Sequence, residues 1–125
     1  MSKKKFRILI IEDDDMLREM YVVKFEKSGF EVAQATEGAE GLDLAKKQKP
    51  DIILLDIILP KIDGFMVLQA MKDTEKLKEV PVMLLTNLGQ ESDRKRGEIL
   101  GAVDYVVKSN VTPAQVEEKI RKILK

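Results

Sequence analysis

At 125 residues the chain is sized for one domain with its own core, and its 22 basic residues balance 22 acidic ones, so bulk charge points to neither nucleic acid nor a membrane surface as a partner. It has no cysteine and no histidine, which excludes disulfides, thiolate nucleophiles, sulfur-ligated zinc and imidazole base chemistry. Carboxylates, hydroxyls and lysine remain to carry any chemistry.

Lys3, Lys4 and Lys5 form a basic tail over residues 1–5 that reads as solvated. The apolar run at 8–11 is too short for a signal-peptide core or a membrane span, so a cytoplasmic protein with no membrane partner is expected. "FRILII" is the first strand, and it leads straight into four carboxylates, residues 12–15. Like charges about 4 Å apart cost about 4 kcal/mol per pair at an effective dielectric near 20, so the crowding needs a reason: a cation, or helix capping. Asp14 or Asp15 can cap the helix marked by Leu17, Met20, Tyr21 and Phe25, with Gly29 at its C-terminal end.

"EVAQA" reads as the second strand, and Ala39, Leu42 and Ala45 mark a second helix ended by Pro50. "DIILLD" is the third strand, ending in Asp56, followed by a helix over about 65–73. "VPVMLLT" ends in Thr86 and precedes a helix over about 91–100, which stops before Gly101. "DYVVK" ends in Lys108. The last helix has the clearest start, with Thr112 as N-cap, Pro113 in the first turn and Gln115 as capping-box partner, and Val116, Ile120 and Ile123 as its apolar stripe. Three of the strand runs are almost continuously Ile, Leu, Val and Met, as suits strands covered on both faces. Strict β/α alternation predicts an α/β fold, a doubly wound parallel sheet with right-handed crossovers and helices on both faces. No linker divides the chain, so a single domain over 1–125 with no output domain is expected.

In such a sheet every strand finishes at the same edge, where ligands of open α/β folds bind. Glu12 and Asp13 end the first strand, Asp56 the third, Thr86 the fourth and Lys108 the fifth. The second ends in Thr36 and Glu37, with no obvious participant. Each residue has an ordinary reading as a cap, a loop starter or a solvated lysine. Capping does not require the whole set. Converging carboxylates with an open position favour a hard cation such as Mg²⁺, and a carboxylate can attack phosphorus while lysine and a hydroxyl hold the phosphoryl oxygens.

The stretches "ILIIEDD", "DIILLDIILPKIDG", "PVMLLT" and "GAVDYVVK" resemble, in order and spacing, the response-regulator receiver family, and in particular its stand-alone, chemotaxis-regulator-like members. The resemblance covers essentially the whole chain and implies a flavodoxin-like five-stranded sheet of order 2-1-3-4-5 with five helices. By the same resemblance Asp56 is the phosphoacceptor, and Glu12, Asp13, Asp56 and the Ile58 backbone carbonyl hold Mg²⁺ (or Mn²⁺). Thr86 and Lys108 contact the phosphoryl group, and Thr86 with Tyr105 forms the switch that alters the surface of the fourth helix, fifth strand and fifth helix. The implied donor is a histidine kinase or a histidine phosphotransfer protein, and the implied listener an unknown downstream protein. The chain would catalyse its own phosphorylation and dephosphorylation, make no nucleic-acid contact, and stay monomeric or dimerise weakly on phosphorylation.

The alternative is a receiver-fold interaction module that works without phosphate. A phosphatase using an aspartyl-phosphate intermediate would carry a second aspartate at the position of Ile58, and the glycine-rich nucleotide-binding motifs are absent. The chain departs from the family pattern at Ser109, where many members have proline after a cis peptide. Since a cis bond before a non-proline residue costs about 2.5–4 kcal/mol, a trans peptide or a strained loop is expected there. Asn87 stands where a very small residue is usual, and Ile58 and Leu88 are apolar where fast-hydrolysing members are often polar, which implies a long-lived phosphoaspartate.

Overall fold

Alternation of side chains along five short strands sorts the apolar residues into two layers, one on each face of a sheet. The computed structural model describes residues 5–125, so the expected basic tail, apart from Lys5, lies outside the described residues. The strands are β1 (Arg7–Ile11), β2 (Glu31–Ala35), β3 (Ile52–Leu55), β4 (Val82–Thr86) and β5 (Asp104–Val107), and the helices α1 (Asp15–Lys27), α2 (Gly38–Gln48), α3 (Gly64–Lys72), α4 (Glu91–Ile99) and α5 (Pro113–Ile123). A short 3₁₀ turn, Lys108–Asn110, follows β5. All neighbouring strands pair in parallel, in the order β2-β1-β3-β4-β5. The parallel, doubly wound sheet is the one the alternation predicts, and its flavodoxin-like order is the one the family resemblance implies.

Leu9, Ile11, Ile53, Leu55 and Leu84 face one way, onto Ala45 of α2 and Phe65, Leu68 and Met71 of α3. Ile8, Ile10, Ile52, Leu54, Met83 and Leu85 face the other way, onto Tyr21 and Phe25 of α1 and Val116 and Ile120 of α5. The central strands are therefore apolar at successive positions because both their faces are covered. Each such aliphatic side chain contributes about 1.5–3 kcal/mol when fully buried.

Local capping sets the helix ends. Asp14 caps α1 by accepting from the Leu17 N–H at 3.1 Å, Asp63 caps α3 from Met66 at 3.0 Å, and Thr112 and Gln115 form the reciprocal box that opens α5. Gly29 and Gly101, at φ +97° and +96°, close α1 and α4 through paired bonds: Gly29 N–H to Glu26 with Phe30 N–H to Phe25, and Gly101 N–H to Glu98 with Ala102 N–H to Gly97.

Two details correct the sequence reading. Met20 does not join the buried stripe of α1 but is 43% exposed; Val22 is buried instead. Ala39 is exposed too, and α2 meets the core through Gly38, Gly41 and Ala45. A Cβ on Gly41 would stand 2.3 Å from Ile11 Cδ1, and one on Gly38 2.5 Å from Val67 Cγ2. The helix lies so close that a Cβ at either position would force Ile11, or Val67 and Ile62, to shift, and a hydrophobic pattern does not register glycine as core.

Candidate functional site

The backbone ladders that build the sheet also bring the polar residues together at its carboxyl edge. The Glu12 N–H donates to the Ala35 carbonyl at 3.0 Å and the Asp56 N–H to the Ile11 carbonyl at 3.0 Å, so β1, β2 and β3 end in step. Glu12 and Asp56 are buried while Asp13 is exposed, and one carboxylate oxygen from each lies within 4.8 Å of the others. They open on a cleft of about 370 Å³ lined by Glu12, Asp13, Asp14, Asp56, Ile58, Asn87 and Lys108.

Lys108 reaches in from the end of β5. Its Nζ lies 2.5 Å from Glu12 Oε1 and 2.7 Å from Asp56 Oδ2, one ammonium between two buried carboxylates. Burial works against the lysine charge, but the bonds to Asp56 and Glu12 outweigh it and raise the Lys108 pKa above its ordinary value. Burial is the main influence on Glu12 and pushes its carboxyl up to about 7, with the Asp56 charge adding to it. The Lys108 and Asp14 hydrogen bonds pull the other way. The Asp14 N–H donates to Glu12 Oε2 at 3.1 Å and the Ile58 N–H to Asp56 Oδ1 at 3.2 Å, so backbone donors orient both buried acids.

Thr86 ends β4 and is fully buried, with its Oγ1 accepting from the Leu88 N–H at 3.4 Å. Tyr105 lies inward at 7% exposure, its hydroxyl donating to the Leu88 carbonyl at 2.5 Å. Thr86 and Tyr105 thus meet through one residue, Leu88. That residue packs against the core, so of the apolar flanking residues only Ile58, 56% exposed, faces the cleft. Asn87 lies on the rim as well. The Lys108–Ser109 peptide is trans, with no cis bond among the described residues, and Ser109 falls within the 3₁₀ turn.

The donor set fits a small hard cation. Three carboxylates converge, with neither imidazole nor thiolate in the chain to select a softer metal. Each of the three carboxylates brings one oxygen within 4.8 Å of the others, near enough for all three to serve one such ion. The surplus negative charge in the cleft is only partly met by Lys108.

Every residue picked out from the strand ends is in or directly behind this cleft. What the sequence reading missed is Arg18. From the first turn of α1 its guanidinium donates to the Glu12 backbone carbonyl at 2.9 Å, to Gln34 Oε1 at 3.0 Å and to Asp15 Oδ1 at 2.7 Å. Through Gln34 the second strand, which showed no participant, is tied to the site. An arginine one turn into a helix signals at most its i,i+3 partner Asp15, because the Glu12 carbonyl and Gln34 are recognisable as acceptors only once they are neighbours.

A family profile described as "Response regulator receiver domain" matches residues 8–121. Among curated proteins the chain is 41% identical over 117 residues to the DNA-binding dual master transcriptional regulator RpaA of a Synechocystis species, covering 94% of this chain and 47% of that protein. It is 40% identical over 118 residues to the transcriptional regulatory protein AfsQ1 of Streptomyces coelicolor, covering 94% of this chain and 51% of that one. The chain thus spans about half the length of these relatives. Of solved structures, chemotaxis protein CheY4 of Vibrio cholerae superposes with a TM-score of 0.91 at 26% identity, over 97% of this chain and 100% of that one. A CheY-like response regulator receiver domain protein from Methanospirillum hungatei gives 0.90 at 26% identity, over 97% and 94%.

Proposed function

Because the chain belongs to the response-regulator receiver family, we propose that it is a phospho-accepting switch of a two-component or phosphorelay system, with Asp56 as the acceptor. The observation that carries this reading is the meeting of Asp56 with Glu12, Asp13, Lys108 and, just behind them, Thr86 at one sheet edge.

An Asp56 oxygen attacks the phosphorus of a phosphohistidine on a histidine kinase or a histidine phosphotransfer protein. The new P–O bond forms as the P–N bond breaks, and the imidazole leaves with its electron pair. Glu12, Asp13, Asp56 and the Ile58 carbonyl would hold Mg²⁺ (or Mn²⁺), which when bound neutralises phosphoryl charge. Lys108 passes from the Asp56 oxygen to a phosphoryl oxygen, a short transfer given its 2.7 Å starting distance. The Thr86 hydroxyl donates to another phosphoryl oxygen. That bond draws Thr86 toward the cleft and favours the inward Tyr105 arrangement, which biases the surface made by α4, β5 and α5.

The chain so acts as its own catalyst while serving as a signalling protein. Its listener is a protein that prefers one arrangement of that surface, and the 125 residues, balanced in charge, are not themselves expected to contact nucleic acid. No described helix is long and apolar enough to cross a membrane, and a cytoplasmic setting suits a kinase-fed switch.

Incubation with Mg²⁺ and a small phosphoryl donor such as acetyl phosphate, followed by intact mass, tests the reading. One phosphoryl group is expected on the wild-type chain and none on Asp56→Asn or in the presence of a chelator. No uptake from either the small donor or a phosphohistidine protein would leave only a phosphate-independent interaction module.

A further inference from the structure

We infer that Arg18 is a positioning residue for the acidic pair: it fixes the Glu12–Asp13 peptide plane and so sets the direction in which Asp13 meets the cleft. The inference rests on the reading of this edge as a metal-dependent phosphoacceptor site.

Three segments meet here: the β1–α1 connection, the first turn of α1 and the edge strand β2, with the Glu12 N–H bond to the Ala35 carbonyl linking the first to the third. The Arg18 guanidinium joins all three. It is 13% exposed on its side chain, and its three hydrogen bonds use three separate nitrogens, Nη1 to the Glu12 carbonyl, Nε to Gln34 and Nη2 to Asp15. A planar fork of fixed donors suits this task, whereas a lysine ammonium carries its three donors on one nitrogen at the end of a flexible stem and fixes no plane. The Glu12 carbonyl belongs to the peptide that leads into Asp13, so a tilt of that plane swings the Asp13 carboxylate relative to Glu12 and Asp56. Glu12 has its own restraint in the Asp14 N–H and Lys108. Asp13 is exposed, and the clamp on the peptide before it supplies its counterpart.

Charge alone predicts the opposite sign. A guanidinium beside clustered carboxylates repels a divalent cation, so removing it for electrostatic reasons tightens Mg²⁺ binding. Removing a clamp loosens the ligands and weakens binding, typically by about 10–100-fold for groups that orient metal ligands.

The test is a calorimetric titration with Mg²⁺ alone on wild type, Arg18→Met and Arg18→Lys, together with thermal melting and the rate of phosphoryl uptake at low and saturating Mg²⁺. Affinity is expected to fall about tenfold in Arg18→Met, with little recovery in Arg18→Lys despite the retained charge, and uptake at saturating Mg²⁺ to return near the wild-type rate. Unchanged or tighter Mg²⁺ binding in a folded Arg18→Met protein overturns the inference, as does a full return of affinity in Arg18→Lys. Should Arg18→Met fail to fold, Gln34→Met removes one anchor of the fork. A twofold or greater loss of Mg²⁺ affinity is then expected, and no change counts against the role. If wild type itself binds no Mg²⁺ and takes no phosphoryl group, the underlying reading of the site fails instead.

Discussion

Gly64 carries no side chain, and the Asp56 carbonyl oxygen sits where one would begin: an added Cβ would lie 2.3 Å from that oxygen and 2.6 Å from Ile57 Cα. The obstacle is backbone, so it cannot swing aside. This gives a reason for the glycine in "KIDG", since Asp63 caps α3 while Gly64 lets the helix start against the strand end that presents Asp56. Gly64→Ala is expected to cost about 1–3 kcal/mol, read from the urea midpoint, and to slow phosphoryl uptake because Asp56 is displaced. On the proposed reading, the rim residues Ile58 and Asn87 flank the approach of the water that would hydrolyse the phosphoaspartate. Ile58 has no group to orient or deprotonate an attacking water, so the phosphoaspartate is expected to outlast a time course of seconds at neutral pH with Mg²⁺. Ile58→Gln should shorten its lifetime about tenfold, less than the ~10²–10⁴ of a full general base. At this scale the candidate acids, Thr86 and Lys108 were legible as strand-end residues. Leu88 was not placed correctly, because a position in the chain does not say whether a side chain turns to the cleft or the core.

The helices differ in how they are held. Helix α4 is polar along its length and buries only Gly97, whose lack of a side chain lets it rest on Leu84 and Tyr105. Arg94 donates to the Tyr105 carbonyl at 3.1 Å and stacks 5.1 Å from its ring, and Arg96 lies 4.3 Å over Phe65. Such cation–π contacts give about 0.5–1 kcal/mol each at exposed sites, well short of a buried apolar face. Hydrogen exchange should therefore find α4 amides opening at least about 100-fold more readily than those of β1 and β3, as the proposed switch requires of its movable part. Helices α1 and α5 are joined by a polar bridge. The Ser28 hydroxyl donates to Glu117 Oε1 at 2.5 Å, and Arg121 binds Glu117 Oε2 at 3.0 Å. Burial lifts the Glu117 carboxyl somewhat, but Ser28, Arg121 and Lys24 outweigh it and hold the pKa below its ordinary 4.5. A carboxyl so depressed stabilises the fold above that ordinary value and loses its contribution as pH falls through the folded one. Glu117→Gln is accordingly expected to cost about 1 kcal/mol at pH 7, and its denaturation curve to converge on wild type in strong acid. Helix spans were readable to within a residue or so because capping and periodicity are local. The faces of α2 and α4 were read less fully: Leu42 and Ala45 of α2 do pack on the core, but both helices also dock through glycines that a hydrophobic pattern passes over.

At the scale of the molecule, folding assembles an acidic cluster, the candidate cation site, that the unfolded chain does not have. A ligand bound only by the native state stabilises it by about 2.7 kcal/mol at a hundred times its dissociation constant, or roughly 10 °C in melting temperature for a domain this size. Saturating Mg²⁺ is expected to raise the melting temperature on that order, and Asp13→Asn or a chelator to abolish the rise. The amino-acid sequence by itself determined the alternation of strands and helices, the parallel sheet and the polar residue at each strand end, since side-chain period and turn chemistry are written within a few neighbouring residues. Tertiary structure alone decided the Lys108 bridge between Glu12 and Asp56, the inward Tyr105 and the Arg18 clamp onto Gln34. Those depend on distances between residues well separated in the chain, 16 positions for Arg18 and Gln34 and 52 for Lys108 and Asp56, which come into being only when the whole sheet is packed.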